Sequence, residues 1–183
     1  MDERIQELLD HHEIRQLLCL YCQGSDRFDA ERMGSIFHPD GWFDHGHDHG
    51  PGREFCRQAV PAQIEHTSTV WHQLGQSYIK VDGDDATAET YLLVAIRGVG
   101  EEEKTLTVMG GRFLDTLRRD AGAWKVARRL QVRDWSYSHR VEHDTIVRAG
   151  FMEGSPSGDD PFYKFFGIEH SGPTPDATAR QPS

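Results

Sequence analysis

The sequence contains no apolar run long enough to cross a bilayer as a helix, and its first residues, MDERIQELLDHHEIRQ, are charged from the second position onward. It lacks the basic start and apolar stretch of a secretory leader, so a cytoplasmic location is expected. Cysteine is scarce. Cys19, Cys22 and Cys56 are an odd number that cannot all pair within one chain, as expected of free thiols in a reducing compartment. Cys19 and Cys22 form a C-x-x-C, but no second pair or nearby His completes a metal set, and the two read as small apolar residues on one helix face. Positive charge is in deficit: Lys and Arg number 20 against 30 Asp and Glu, for a formal net charge of -10. Such a surface repels phosphate backbones and anionic headgroups, which excludes nucleic acid and membrane as expected partners.

The 183 residues suit one domain, and 37% hydrophobic with 27% charged residues is an ordinary balance for a soluble globular chain. Ile5, Leu8, Leu9, Ile14, Leu17, Leu18, Tyr21 and Cys22 recur at helical spacing, and Gly24-Ser25 is the expected helix end. A second helix is expected from an Asp29 N-cap to about Phe37, followed by a turn at His38-Pro39-Asp40-Gly41 and a short strand at Trp42-Phe43-Asp44. A third helix is expected from Arg53 towards His66, broken or kinked at Pro61. From Thr69 the texture changes to strands, expected at 69–81, 86–97, 106–118 and 124–136 and separated by turn signals, an antiparallel meander. Helices first and strands later predict an α+β fold. Beyond about residue 140 the pattern weakens into an extension, partly disordered and Pro/Ser/Thr-rich at its tip. Its cluster Phe162-Tyr163-Phe165-Phe166 is expected to dock on the body or on a neighbouring subunit, because exposing four aromatics is costly. The division expected is therefore 1–140 and 141–183.

Three stretches, taken in order, carry a resemblance. IRQLLCLYCQGSDRFDAERMGSIFHPDGWFD resembles the helical opening of the SnoaL-like (nuclear-transport-factor-2-like) superfamily, WHQLGQSYIKVDGDDATAETYLLV its first long hairpin, and GGRFLDTLRRDAGAWKVARRLQVRDW its closing hairpin. The resemblance covers roughly residues 4–136. It implies a cone-shaped α+β barrel, a curved mixed sheet packed on N-terminal helices around a small-molecule pocket. It also implies work without a cofactor, and assembly into a homo-oligomer, a trimer rather than a dimer.

The family's eliminating members, its dehydratases and dehydrochlorinase, share an Asp at the end of the first long helix and a His near the start of the first long strand. The matching residues are Asp26 and His72. The chemistry explains the pair: a base near neutrality removes a proton beside a leaving group, and a carboxylate behind the imidazole fixes its tautomer. The resemblance also implies Tyr21 as an acid or polarising group, His45 as a substrate contact, Tyr91 where a relative carries a second pocket His, and Arg129 near the pocket. Strict alternation from Trp124 and Val126 puts Arg129 on the opposite strand face from those two. On an extended chain, His45, His47 and His49 would share a face, a pattern that suits zinc, but flanking glycines and the largely cofactor-free family point instead to a polar loop at the pocket mouth. Trp42, Phe28, Phe55, Trp71 and Phe113 are the expected apolar lining, which favours a bulky, aromatic or polycyclic guest. The expected function is a cofactor-independent lyase for a hydrophobic small molecule, either a dehydratase or of formaldehyde-eliminating type. The alternatives are an isomerase or cyclase with the same base, a non-catalytic binding protein, or the small subunit of a ring-hydroxylating dioxygenase.

Overall fold

Ile14, Leu18, Tyr21 and Cys22 form one buried stripe and build α1 (Glu3–Asp26), whose first turn is capped by the Asp2 carboxylate accepting from the Arg4 N–H at 2.9 Å. The computed structural model describes residues 2–99, 105–141 and 150–172. α1 does not stop at Gly24. A Cβ at Gly24 would stand 2.5 Å from the Met33 nitrogen and 2.8 Å from its Cα, so this glycine lets the helix approach the backbone of α2 (Ala30–Gly34). Asp29 caps α2 by accepting from the Arg32 N–H.

The chain then forms β1 (Phe37–His45) and β2 (Asp48–Pro51), which pair antiparallel around a turn at Gly46-His47. The expected turn at His38–Gly41 is instead an irregularity within β1, where the register on its partner strand shifts between Phe37 and Trp42. α3 (Gly52–His66) passes through Pro61 without ending, with the proline on its exposed side. β3 (Thr67–Asp82), β4 (Asp85–Gly98), β5 (Thr105–Asp120) and β6 (Ala123–Arg140) follow as an antiparallel meander. β1 lies parallel to β6, which gives the sheet order β2-β1-β6-β5-β4-β3. The architecture is α+β, with a mixed sheet packed on N-terminal helices. No helix among the described residues is long and apolar enough to cross a membrane.

Polar anchors fix α1 across the inner face of the sheet. Near its start, buried Asp10 accepts from Arg119 and from the Trp124 indole N–H at 3.2 Å. In its middle, Arg15 donates to the Gly75 carbonyl at 2.9 Å and to the Ser77 hydroxyl at 2.6 Å, at a bulge in β3. After the meander, α4 (Pro161–Phe166) returns to the end of α1. Tyr163 is buried there, and the Arg27 guanidinium covers the Phe162 ring at 4.3 Å, while Phe165 and Phe166 face solvent. The expected disordered tip, residues 173–183, lies outside the described residues.

Gly24→Ala is expected to destabilise the fold by about 1–3 kcal/mol, the usual cost of overpacking, read as a lower urea midpoint with an unchanged slope.

Candidate active site

The last turn of α1 presents Asp26. Arg27 caps the helix, Phe28 takes a left-handed backbone (φ 54), the Phe28 N–H donates to the Ser25 carbonyl at 3.3 Å, and the Asp29 N–H donates to the Gly24 carbonyl at 2.9 Å. This is the Schellman closure, with Phe where glycine is usual, and an L-residue there costs on the order of 1–2 kcal/mol. Closed in this way, the turn aims Asp26 at β3. His72 Nδ1 lies 2.5 Å from Asp26 Oδ1, and the His72 backbone N–H donates to Asp26 Oδ2 at 3.3 Å. The two side chains are only 10% and 17% exposed. With the carboxylate on Nδ1, the network assigns the proton to Nδ1, and Nε2 has no hydrogen-bond partner among the described residues.

One turn and a half earlier on α1, Tyr21 enters a box of aromatic rings. Its ring meets Phe37, Phe43 and Phe113 edge-on at 5.6–6.5 Å. Inside the box sits Arg129, completely buried, with its guanidinium 3.9 Å from the Phe113 ring and 4.5 Å from that of Tyr21. Asp115, also buried, holds Arg129 by two bonds of 2.8 Å each. Burial opposes the charge on Arg129, but the Asp115 carboxylate outweighs it and keeps the arginine firmly protonated. The third guanidinium nitrogen, Nη1, is buried and has no hydrogen-bond partner among the described residues. Burial also drives the Tyr21 phenol well above its ordinary range, so Tyr21 keeps its proton as a donor. The Cys22 thiol, pushed up to about 12 chiefly by burial, feels the charges of both Asp26 and Arg129, which places both within electrostatic reach of one buried position on α1. From Tyr21 to Asp26 the helix advances about 7.5 Å.

Arg129 departs from the simple alternation of its strand. Leu117 pairs with Val126 but Thr116 pairs with Arg128, so Ala127 is an extra residue in β6. The bulge returns Arg129 to the face shared by Trp124 and Val126. Phe113 lies under Arg129, and Phe55 packs against Phe43 at 4.6 Å and His45 at 5.5 Å. Burial and the Arg133 charge hold half-buried His45 below the ordinary histidine range, which favours its neutral imidazole.

Other expected lining residues do not belong there. Trp71 is 51% exposed because it alternates with inward-facing His72, Tyr91 is 40% exposed because it alternates with Leu92, and Trp42 is 38% exposed on the face opposite Phe43. Tyr91 lies under Arg112 on the outer surface instead. Phe28 is wholly buried in the corner between α1 and α2. The three histidines do not share a face either. The β1–β2 hairpin reverses the chain, so His45 joins Phe43 and Phe55 on the inner side, His47 occupies the turn, and His49 packs on Trp42 on the other side.

The residue that sequence reading passed over is Asp115. A signal existed: Phe113, Asp115 and Leu117 share a strand face, and a carboxylate on an apolar face requires a partner. A groove of about 630 Å³ along the far side of α1 and a second cavity of about 240 Å³ near α2 contain none of Asp26, His72, Arg129 or Asp115. Arg129→Met is expected to destabilise the protein by about 3–5 kcal/mol, because it strands a buried carboxylate. The double variant Arg129→Met/Asp115→Leu is expected to recover most of that loss in chemical denaturation.

The sequence pattern of the SnoaL-like domain family matches residues 6–130. An uncharacterised protein of Mycobacterium tuberculosis is 24% identical over 131 residues, 70% of this chain and 88% of its own. Among solved structures, a hexachlorocyclohexane dehydrochlorinase from Novosphingobium barchaimii is similar with a TM-score of 0.69 at 16% identity, covering 78% of this chain and 98% of that one. A protein provisionally named a scytalone dehydratase, from Novosphingobium aromaticivorans, gives a TM-score of 0.66 at 18% identity, covering 80% and 97%. Matched over two-thirds of its length, and with the nuclear-transport-factor-2-like fold of these structures, the chain belongs to the SnoaL-like family.

Proposed function

We propose that the protein is a cofactor-independent lyase, of dehydratase or formaldehyde-eliminating type, acting on a hydrophobic, oxygenated small molecule with an aromatic or polycyclic frame. The observation that carries this reading is the His72 imidazole, held through Nδ1 by Asp26 and carrying an unpartnered Nε2. In a dehydration, Nε2 takes the proton beside the leaving group, the C–H pair becomes the new C=C bond, and the C–O pair leaves with the oxygen. Asp26 stabilises the imidazolium that results. Tyr21 O–H or the neutral His45 N–H protonates the departing oxygen, and the proton gained by His72 later resets that donor. For formaldehyde loss, the same base takes a hydroxymethyl O–H proton, the O–H pair becomes the C=O bond, the C–C pair becomes a new C=C bond, and the C–O pair leaves with an oxygen that the same donor protonates.

Arg129 supports a role for substrate oxygen at this site. Its free N–H, inside an apolar box, gains much from an oxygen partner and leaves a polar atom unsatisfied without one. Together with Tyr21 it suits an enolate oxygen, which favours an isomerase as the second reading. The donors that would hold the guest are therefore Arg129 and Tyr21 on an aromatic wall of Phe113 and Phe55.

We also propose that the outer sheet face is covered by further copies of this chain, as a trimer. Trp71, Tyr78, Trp135 and Tyr137 stand 48–64% exposed on it, more aromatic surface than a monomer ordinarily leaves in water. Light scattering at the mass of one subunit would exclude this assembly.

With a substrate drawn from hydroxylated aromatic and polycyclic compounds, His72→Ala is expected to lower turnover about 10²–10⁴-fold, and Asp26→Asn to lower it as well, with fold and ligand affinity retained. Undiminished turnover in either variant contradicts the dyad. Binding without dependence on either residue points to a non-catalytic ligand carrier.

A further inference from the structure

The segment after the meander touches the closure of α1 at every residue of the corner. Asp160 caps α4, accepting from the Ser155 N–H at 2.9 Å and the Phe162 N–H at 3.0 Å, and it pairs with Arg27 Nε at 3.1 Å. The Arg27 guanidinium lies on the Phe162 ring. Tyr163 donates its hydroxyl to Asp29 Oδ2 at 3.2 Å, and Ser171 donates to the same carboxylate through its hydroxyl at 3.0 Å and its N–H at 3.3 Å. His170 Nε2 lies 3.0 Å from the Arg27 carbonyl. Asp29 is wholly buried, so almost every partner of its carboxylate outside α2 comes from this segment.

Those contacts fall on Arg27 and Asp29, and Gly172 passes so close to Phe28 that a Cβ on it would stand 2.6 Å from the Phe28 carbonyl oxygen; the three residues close the last turn of α1. Phe28 holds a left-handed backbone that a non-glycine residue keeps only where its surroundings over-determine it. Asp26 is the last residue of the turn so closed, and its carboxylate direction depends on that turn staying wound. We propose that residues 155–172 are a strap that positions Asp26 against His72, with Tyr163 and Asp160 as positioning residues. Among the contacts described, neither reaches the His72 imidazole, and both act through the α1 corner. The proposal rests on reading Asp26 and His72 as the working pair.

The test uses the full chain and needs no substrate. The His72 Nδ1–H proton, shared with a carboxylate, resonates far downfield in a proton NMR spectrum and is assigned by its loss in His72→Gln. In Tyr163→Phe and in Asp160→Asn, that proton is expected to exchange with water roughly tenfold faster, the factor for losing about one hydrogen bond's worth of local stability. Phe165→Ser, on the exposed side of α4, is expected to leave it unchanged. Asp10→Asn, which loosens the far end of α1, is expected to lower global stability without changing the exchange. Unchanged exchange in Tyr163→Phe and Asp160→Asn overturns the strap and leaves the dyad standing. Equal acceleration in Asp10→Asn overturns it too, because the effect would then be global. If the parent shows no such proton, the dyad reading falls and the strap falls with it.

Discussion

Asp26 accepts twice from His72, once from the imidazole and once from the backbone N–H, and this paired contact joins the end of α1 to the outermost strand of the meander. The ring bond fixes which nitrogen is bare, and the backbone bond fixes where the carboxylate stands relative to the strand. An exposed pair of this kind would contribute little, since water screens it and side-chain entropy opposes it. Here both partners are largely enclosed, and the orientation is set by a helix end that cannot rotate freely. Sequence determines this through small local choices: a glycine that admits α2 at contact distance, and a strained Phe28 that turns the chain.

The second polar feature of the interior obeys a harsher balance. Burying Arg129 and Asp115 costs each its hydration, and two good hydrogen bonds with ring contacts on several sides offset that cost only in part. A fold selected for stability alone would gain by replacing the pair with hydrocarbon. The leftover Nη1 makes the same point, since it is a donor kept dry with no acceptor among the described residues. Such a group is disadvantageous in a structural core and useful in a site that waits for an oxygen. Tyr21 and Asp26 both stand on α1, so the helix relates the ring beside the Arg129 guanidinium to the carboxylate that holds His72.

Much of the architecture was legible because periodicity reports burial directly. The stripe on α1 and the turn signals between strands define elements whose bounds differ from the observed ones by a few residues. Asp26 and His72 were legible only through resemblance, because nothing in local spacing says that two residues 46 positions apart will meet. Aromatic character alone suggests Trp71 as lining and the resemblance alone suggests Tyr91; with His72 and Leu92 inward, alternation turns both outward. For Arg129 the reverse holds: strict alternation puts it on the wrong face, because a bulge at Ala127 that no composition signal marks shifts the strand by one residue. His45, His47 and His49 read as a common face until the hairpin turned the chain back on itself at Gly46, whose positive φ of 85 admits the reversal. The contacts of Asp29 with residues more than 130 positions away have no local signature at all.

The claim on which this account stands is that Asp26 dictates the protonation pattern of His72. The most direct measurement is the pair of imidazole ¹⁵N shifts of His72 in its uncharged form, recorded by long-range proton–nitrogen correlation. The account predicts a protonated Nδ1 and a bare Nε2, with that pattern lost in Asp26→Asn. A proton resident on Nε2 in the parent protein, or shifts indifferent to Asp26→Asn, would contradict it.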